Sequence, residues 1–341
     1  MSWNEHHEDG CKGEAMRRKT VFIFSGQGSQ YFQMGRGLYE QNRTFKLWMD
    51  RMDVQVRDTL GTSVVQTLYG ERSKGDPFDD IRLTHPAIFM VEYALAQTVI
   101  ERGAEPSFTL GASLGTLAAL AVSGHIYFED AVDLVVRQAL VIHEHCPHGG
   151  MIAVLAGPEI YEDTPFLQAR SVIAGQNFAS HFILSAPGAN LLSIEAFLTR
   201  AGITHQRLPV LYPFHAPWID PVREKLIGAM DGFCVRNSSV PVVCCALGKT
   251  VHEVSAEYFW MVAREEIAFM RTVAWMEEQG PFDYVDLGPS GTLATFLRYL
   301  LAEKSRSSSH SVMTPYTRDA EQLERVMEQI EVNDYQAEFG T

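Results

Sequence analysis

The pentapeptide Gly111-Ala112-Ser113-Leu114-Gly115 constrains this chain more than any other stretch. It is a G-x-S-x-G pattern set between a strand-like Phe108-Thr109-Leu110 and a helical run, Thr116-Leu117-Ala118-Ala119-Leu120. A serine on so sharp a strand-to-helix turn stands proud of the fold. The flanking glycines leave room for a substrate carbonyl, and the N–H groups at the helix start can hold an oxyanion. The same letters also fit a Gly-rich turn that carries an ordinary serine, so context must separate the two.

The alternation of strand and helix extends along the chain. The β-branched and aromatic run at 20–24 predicts a buried parallel strand, ending in the turn Ser25-Gly26-Gln27-Gly28-Ser29-Gln30. Helical periodicity follows over 31–60. A further helix is expected over 84–102, with Pro86 at its start and Ile88, Phe89, Val91, Leu95 and Val99 as its apolar residues. After the elbow comes a helix over 128–144. This order predicts an α/β fold with a mainly parallel-sheet core. The texture changes near Gly149-Gly150: strands at 151–155 and 182–185, a helix at 194–201 and a strand at 206–210 read as a compact α+β insert. Residues 213–217 return the chain to the first domain, with core strands at 240–245 and 284–287. Lys304-Ser305-Arg306-Ser307-Ser308-Ser309 reads as flexible, followed by a helix at 320–330. The expected division is a disordered leader at 1–19, a large domain of 20–148 and 210–303, a small domain at 149–209, and a C-terminal linker and helix at 304–341. No internal repeat is visible.

Composition narrows the function classes. The 341 residues are 46% apolar and 21% charged, as expected of a globular protein with a large core. A formal net charge of −14 argues against nucleic-acid binding and against an anionic membrane surface. Five irregularly spaced cysteines fit free thiols in a reducing compartment. No run of about 18 apolar residues and no signal peptide is present. The expected location is therefore cytoplasmic. The polar segment 1–15 reads as a leader, and Met16 is an alternative start.

A serine hydroxyl needs a base to become a nucleophile. His215, in Leu211-Tyr212-Pro213-Phe214-His215-Ala216-Pro217, is the best-placed candidate, because two prolines fix the local backbone; a surface-loop histidine is the competing reading. His85 and His181 are the fallback bases. His143, His145, Cys146 and His148 are spaced too tightly for the usual zinc patterns and read instead as the end of a helix. Neither a metal nor an organic cofactor is expected. Cys244 and Cys245 are adjacent in a strand-like run and should face opposite sides.

These landmarks together resemble the malonyl-CoA:acyl carrier protein transacylases and the trans-acting acyltransferase-like proteins of polyketide synthases. The resemblance runs from about residue 20 to 301 and follows the family's order: Gly26-Gln27-Gly28-Ser29-Gln30, Thr84-His85-Pro86-Ala87, the Ser113 elbow, Gly149-Gly150-Met151-Ile152-Ala153-Val154, Asn177, Phe214-His215 and Asp286-Leu287-Gly288-Pro289. It implies a hydrolase-like core and a ferredoxin-like small subdomain roofing the cleft. It also implies a dyad of Ser113 as nucleophile and His215 as base, an oxyanion hole from the N–H groups of Gln27 and Leu114, and a backbone carbonyl from the segment around Val262 orienting the histidine. His85, Asn177, Ala112 and Phe214 would line the substrate pocket.

The chain departs from that pattern where acyl selectivity is decided. Ala112 stands where family members usually carry His, which implies more room, and Thr84-His85-Pro86 replaces Thr-Gln-Pro. Malonyl-using members carry an arginine on the second helix that pairs with the malonyl carboxylate. Ungapped alignment puts Gln138 there; a one-residue gap would put Arg137 there instead. Glutamine is neutral and lacks the guanidinium fork. The resemblance is then to the editing acyl hydrolases of trans-acyltransferase pathways. The expected activity is hydrolysis of acyl groups from phosphopantetheine on acyl carrier protein domains of a polyketide synthase. Transfer of a non-carboxylated acyl unit is the first alternative, and a non-catalytic carrier-docking protein the second.

Overall fold

The apolar run at 20–24 becomes a central strand because the fold covers both of its faces. The computed structural model describes residues 18–316 and 318–339. In it β1 (Lys19–Phe24) is buried from Thr20 onward. Phe22 and Phe24 enter the larger core, while Val21 and Ile23 enter a second core on the other side. Further strands follow among the described residues: β2 (Phe108–Gly111), β3 (Gly149–Val154), β4 (Val172–Phe178), β5 (His181–Pro187), β6 (His205–Arg207), β7 (Val242–Cys244), β8 (Lys249–Thr250), β9 (Phe282–Asp286) and β10 (Ser308–Ser311). The main sheet has the order β10-β9-β1-β2-β7-β8, parallel throughout except for the short antiparallel edge strand β8. Cys244 belongs to one core and Cys245 to the other, as alternation requires.

The second sheet is antiparallel, in the order β4-β5-β3-β6. Short helices lie between β3 and β4, and the helix Gly188–Arg200 lies between β5 and β6. That β-α-β-β-α-β succession with β3 and β5 central is ferredoxin-like. Ile152, Val154, Phe182 and Leu184 pack with Leu191, Ile194 and Leu198 of the helix into a separate small core. The alternate residues of the same strands, Met151, Ala153 and Ile183, face a cavity.

Three expectations need correction. Pro86 does not start its helix; the helix runs Ile81–Glu101, capped by the Asp80 side chain accepting from Arg82 N, with Pro86 inside it. The cap residue decides the start, because it satisfies an orphan N–H that proline cannot supply. The polar stretch at 304–309 is not wholly flexible: Ser308 and Ser309 begin β10, parallel to β9, and Glu277 accepts from the hydroxyls of Ser305 and Ser307, both at 2.8 Å. Strand β4 lies outside the strands expected from the sequence, since bulges break its alternation. Of the leader expected at 1–19, residues 1–17 lie outside the described residues, and Lys19 already belongs to β1. No helix among the described residues is long and apolar enough to cross a membrane.

Candidate active site

Ser113 sits just past the carboxyl end of β2, on the turn into the helix Gly115–Val122, with φ +54°. The flanking glycines are required by backbone packing. A Cβ on Gly111 would collide with the backbone of Thr116, and one on Gly115 with the carbonyl oxygens of Phe24 and Ser25. The helix can therefore fold back against β1 only because both positions lack a side chain. Among the described residues, Gln33, Ser113 and His215 are the non-glycine positions at positive φ, and two of these three meet each other. Ser113 Oγ lies 2.8 Å from His215 Nε2. Backbone held in this region costs about 1–3 kcal/mol per residue and is retained where the surroundings enforce it.

His215 is held by the end of a helix. The helix Ala256–Arg264 leaves its last carbonyls without intrahelical partners. Ala263 O accepts from His215 N at 3.0 Å, and Glu265 O accepts from His215 Nδ1 at 2.7 Å. The orienting carbonyl, expected from the segment around Val262, is that of Glu265, which lies just past the helix terminus in extended backbone. With Nδ1–H engaged in this way, Nε2 presents its lone pair to the serine hydroxyl. Burial pushes the imidazole from 6.5 down to about 4, against the opposing pull of the Glu265 carbonyl.

The Gly-rich turn after β1 packs on the elbow. A Cβ on Gly26 would lie 3.0 Å from Ser113 Cβ and 3.4 Å from Leu114 N. Gln27 and Leu114, which follow the carboxyl ends of β1 and β2, both border the same cavity. Glu92, unremarked in the sequence, anchors this turn: its Oε1 accepts from Ser25 N at 2.8 Å and from Ser25 Oγ at 2.9 Å. Burial pushes its carboxyl well above the usual range. A charged residue inside a helix that is otherwise buried at this point was the available signal.

Ser113, His215, Gln27, Leu114, Gln138, His85, Asn177, Ala112 and Phe214 all border one cavity of about 330 Å³ between the two sheets. Asn177 Nδ2 and His181 Nδ1 are 3.0 Å apart in its wall. His85 is buried with its ring centroid 5.9 Å from that of Phe214, and burial lowers its pKa to about 3, so it is neutral. Among the described residues, no Lys, Arg, Asp or Glu borders the cavity. Gln138 lines it, whereas Arg137 turns the other way, bonding Asp133 and the carbonyls of Ala229 at 3.2 Å and Asp231 at 3.1 Å. Successive helical residues point about 100° apart, which is why the two neighbours part company. The cluster at the end of the helix Phe128–His145 lies elsewhere: His143 Nδ1 is 3.3 Å from Tyr212 OH, and His148 stacks on the Tyr212 ring. No group of three or more His, Cys, Asp or Glu among the described residues is disposed to hold a metal ion.

A parallel core, a ferredoxin-like cap and a serine facing a histidine in the cleft between them are features of acyl-transfer proteins. The chain belongs to the acyl transferase domain family, whose model matches residues 21–337. It is 37% identical to the "Polyketide biosynthesis acyltransferase homolog BaeD" of Bacillus velezensis over 316 residues, 92% of this chain and 98% of that one. It is likewise 37% identical to the homolog PksD of Bacillus subtilis, over 91% of this chain and 96% of that one. Among solved structures, the acyltransferase domain from the second module of the salinomycin polyketide synthase matches with a TM-score of 0.82 at 26% identity, covering 95% of this chain and 77% of that one. MCAT from Streptococcus pneumoniae matches with a TM-score of 0.75 at 26% identity, covering 91% of this chain and 100% of that one.

Proposed function

We propose that this chain is an acyl-carrier-protein thioester hydrolase of polyketide biosynthesis, working through an acyl-Ser113 intermediate. His215 Nε2 takes the Ser113 proton as Oγ attacks the thioester carbonyl. The N–H groups of Gln27 and Leu114 hold the resulting oxyanion, each worth about 3 kcal/mol in the transition state. The tetrahedral species collapses, the C–S bond breaks, and His215 returns the proton to the departing phosphopantetheine thiolate. A water then attacks the acyl ester with His215 again as base, releasing a carboxylic acid and free Ser113. The names borne by the two Bacillus relatives support polyketide carrier domains as the source of the thioester.

The observation that carries the choice of acyl group is the neutral cavity wall. Gln138 borders the cavity and Arg137 is committed elsewhere, so a malonyl carboxylate would be desolvated without a cation. An unpaired buried charge costs roughly 3–5 kcal/mol. Neutral acyl groups are therefore the substrates. The test loads acetyl, butyryl and malonyl groups on carrier protein and follows them by mass spectrometry, with and without an acceptor carrier. Free acid from the neutral groups over many turnovers is expected, with malonyl at least a hundredfold slower, on the order of the ion-pair penalty. Gln138→Arg should move preference toward malonyl. Efficient malonyl transfer to the acceptor, with negligible hydrolysis, would overturn the reading. Delivery of neutral acyl groups to the acceptor in place of water would favour the second reading, a trans-acting acyltransferase, as the relatives' names suggest.

A further inference from the structure

Resting on the hydrolase reading, we propose that the cavity selects acyl chains bearing a hydroxyl group near the thioester over plain alkyl chains. Its wall contains three buried polar atoms with no hydrogen-bond partner: Gln27 Oε1, His85 Nδ1 and Gln138 Oε1. Gln138 is 7% exposed and His85 2%. Two of the residues come from helices packed on each other, Ile81–Glu101 and Phe128–His145. The third, Gln27, is tethered to the first of these by Nε2 donating to Thr84 Oγ1 at 2.8 Å. The polar atoms therefore belong to one connected wall.

Exchanging the amide ends does not remove the deficit. One end of the Gln27 amide is engaged by Thr84 and the other is not, whichever is oxygen. A neutral imidazole and two amides offer both donors and acceptors. A hydroxyl matches such a set, since it donates and accepts. A carboxylate only accepts and needs a cation, and no Lys or Arg among the described residues borders the cavity. An alkyl chain fills the space and leaves all three atoms stranded, and a site built to bond a substrate oxygen discriminates against the analogue that lacks it.

The test uses N-acetylcysteamine thioesters of butyrate and 3-hydroxybutyrate with the purified full chain, reading thiol release. The hydroxylated substrate should be favoured in kcat/KM by about tenfold or more. Gln138→Leu should bring that ratio toward unity, the hydroxylated substrate losing more rate than butyrate, and Gln138→Met or His85→Phe should reduce it in the same sense if the leucine variant fails to fold. Equal rates for the two thioesters in the unaltered chain would overturn the inference while leaving the hydrolase reading intact. A variant that slows both substrates equally would also overturn it, assigning these atoms to the thioester arm or to the fold. Release from neither substrate would remove the hydrolase reading, and this inference with it.

Discussion

At the scale of single residues, Ser113 and His215 illustrate how much chemistry rests on one contact. Ser113→Ala should abolish thiol release, and intact-mass analysis of the unaltered chain should find the acyl adduct on the Ser113 peptide rather than on any cysteine. His215→Ala should slow acylation by about a hundredfold or more, read in single-turnover kinetics. The same histidine sets a pH signature. Its imidazole is held at about 4 in the fold against an ordinary 6.5, and that of His85 at about 3. The base is therefore unprotonated well below neutrality, and the acid limb of kcat/KM should fall near 4 rather than near 6.5. Linkage runs in a fixed direction: below 6.5 the unfolded chain takes up protons that the folded one refuses. Stability should be full above about 6.5, decline as the pH falls toward 4, and gain no further loss from His215 below that, as urea titrations across this range would read. Each unit of depression corresponds to about 1.4 kcal/mol.

At the scale of elements, the elbow works because a helix and a strand approach more closely than side chains permit. Gly115→Ala would drive a methyl into the Phe24 and Ser25 carbonyls. It should destabilise the chain by about 1–3 kcal/mol or more in urea denaturation and disturb the oxyanion turn with it. Glu92 joins the helix Ile81–Glu101 to that turn through Ser25. Glu92→Leu strands the Ser25 N–H in a dry interior, at a cost of about 1–3 kcal/mol. It should lower both the denaturation midpoint and kcat, while Glu92→Gln keeps the acceptor and most of the activity. The helix Phe128–His145 divides its neighbours by rotation alone, with Gln138 inward and Arg137 outward. Most of these elements were legible in the sequence, because periodicity reports which face is buried. The limits of β4, β10 and the Pro86 helix were not, since bulges, an edge pairing and a side-chain cap override local pattern.

At the scale of the whole molecule, two sheets with separate cores enclose the cavity, one supplying the serine and its neighbours and the other the roof. The net charge of −14 bears on partners rather than on the fold. An acidic carrier protein would be repelled at long range, so encounters with it should be weak and brief. Calorimetric titration with carrier protein should give micromolar or weaker binding that tightens as salt screens the repulsion. Nanomolar binding insensitive to salt would contradict this.

The sequence by itself determined the elbow, the Gly-rich turn after β1, most strands and helices, and a part of the residue set that borders the cavity. Each of these follows from short-range sterics, from the spacing of apolar residues, or from motifs whose order along the chain marks the family. The resemblance paired Ser113 with His215 and set Gln138 in the pocket; only the tertiary structure decided the 2.8 Å contact, the Glu265 carbonyl that orients the histidine, and the backbone carbonyls that hold Arg137. Those depend on where a helix ends and which backbone groups it leaves unpaired beside another segment. No local pattern encodes that, because the unpaired group and its partner meet only when the whole chain is packed.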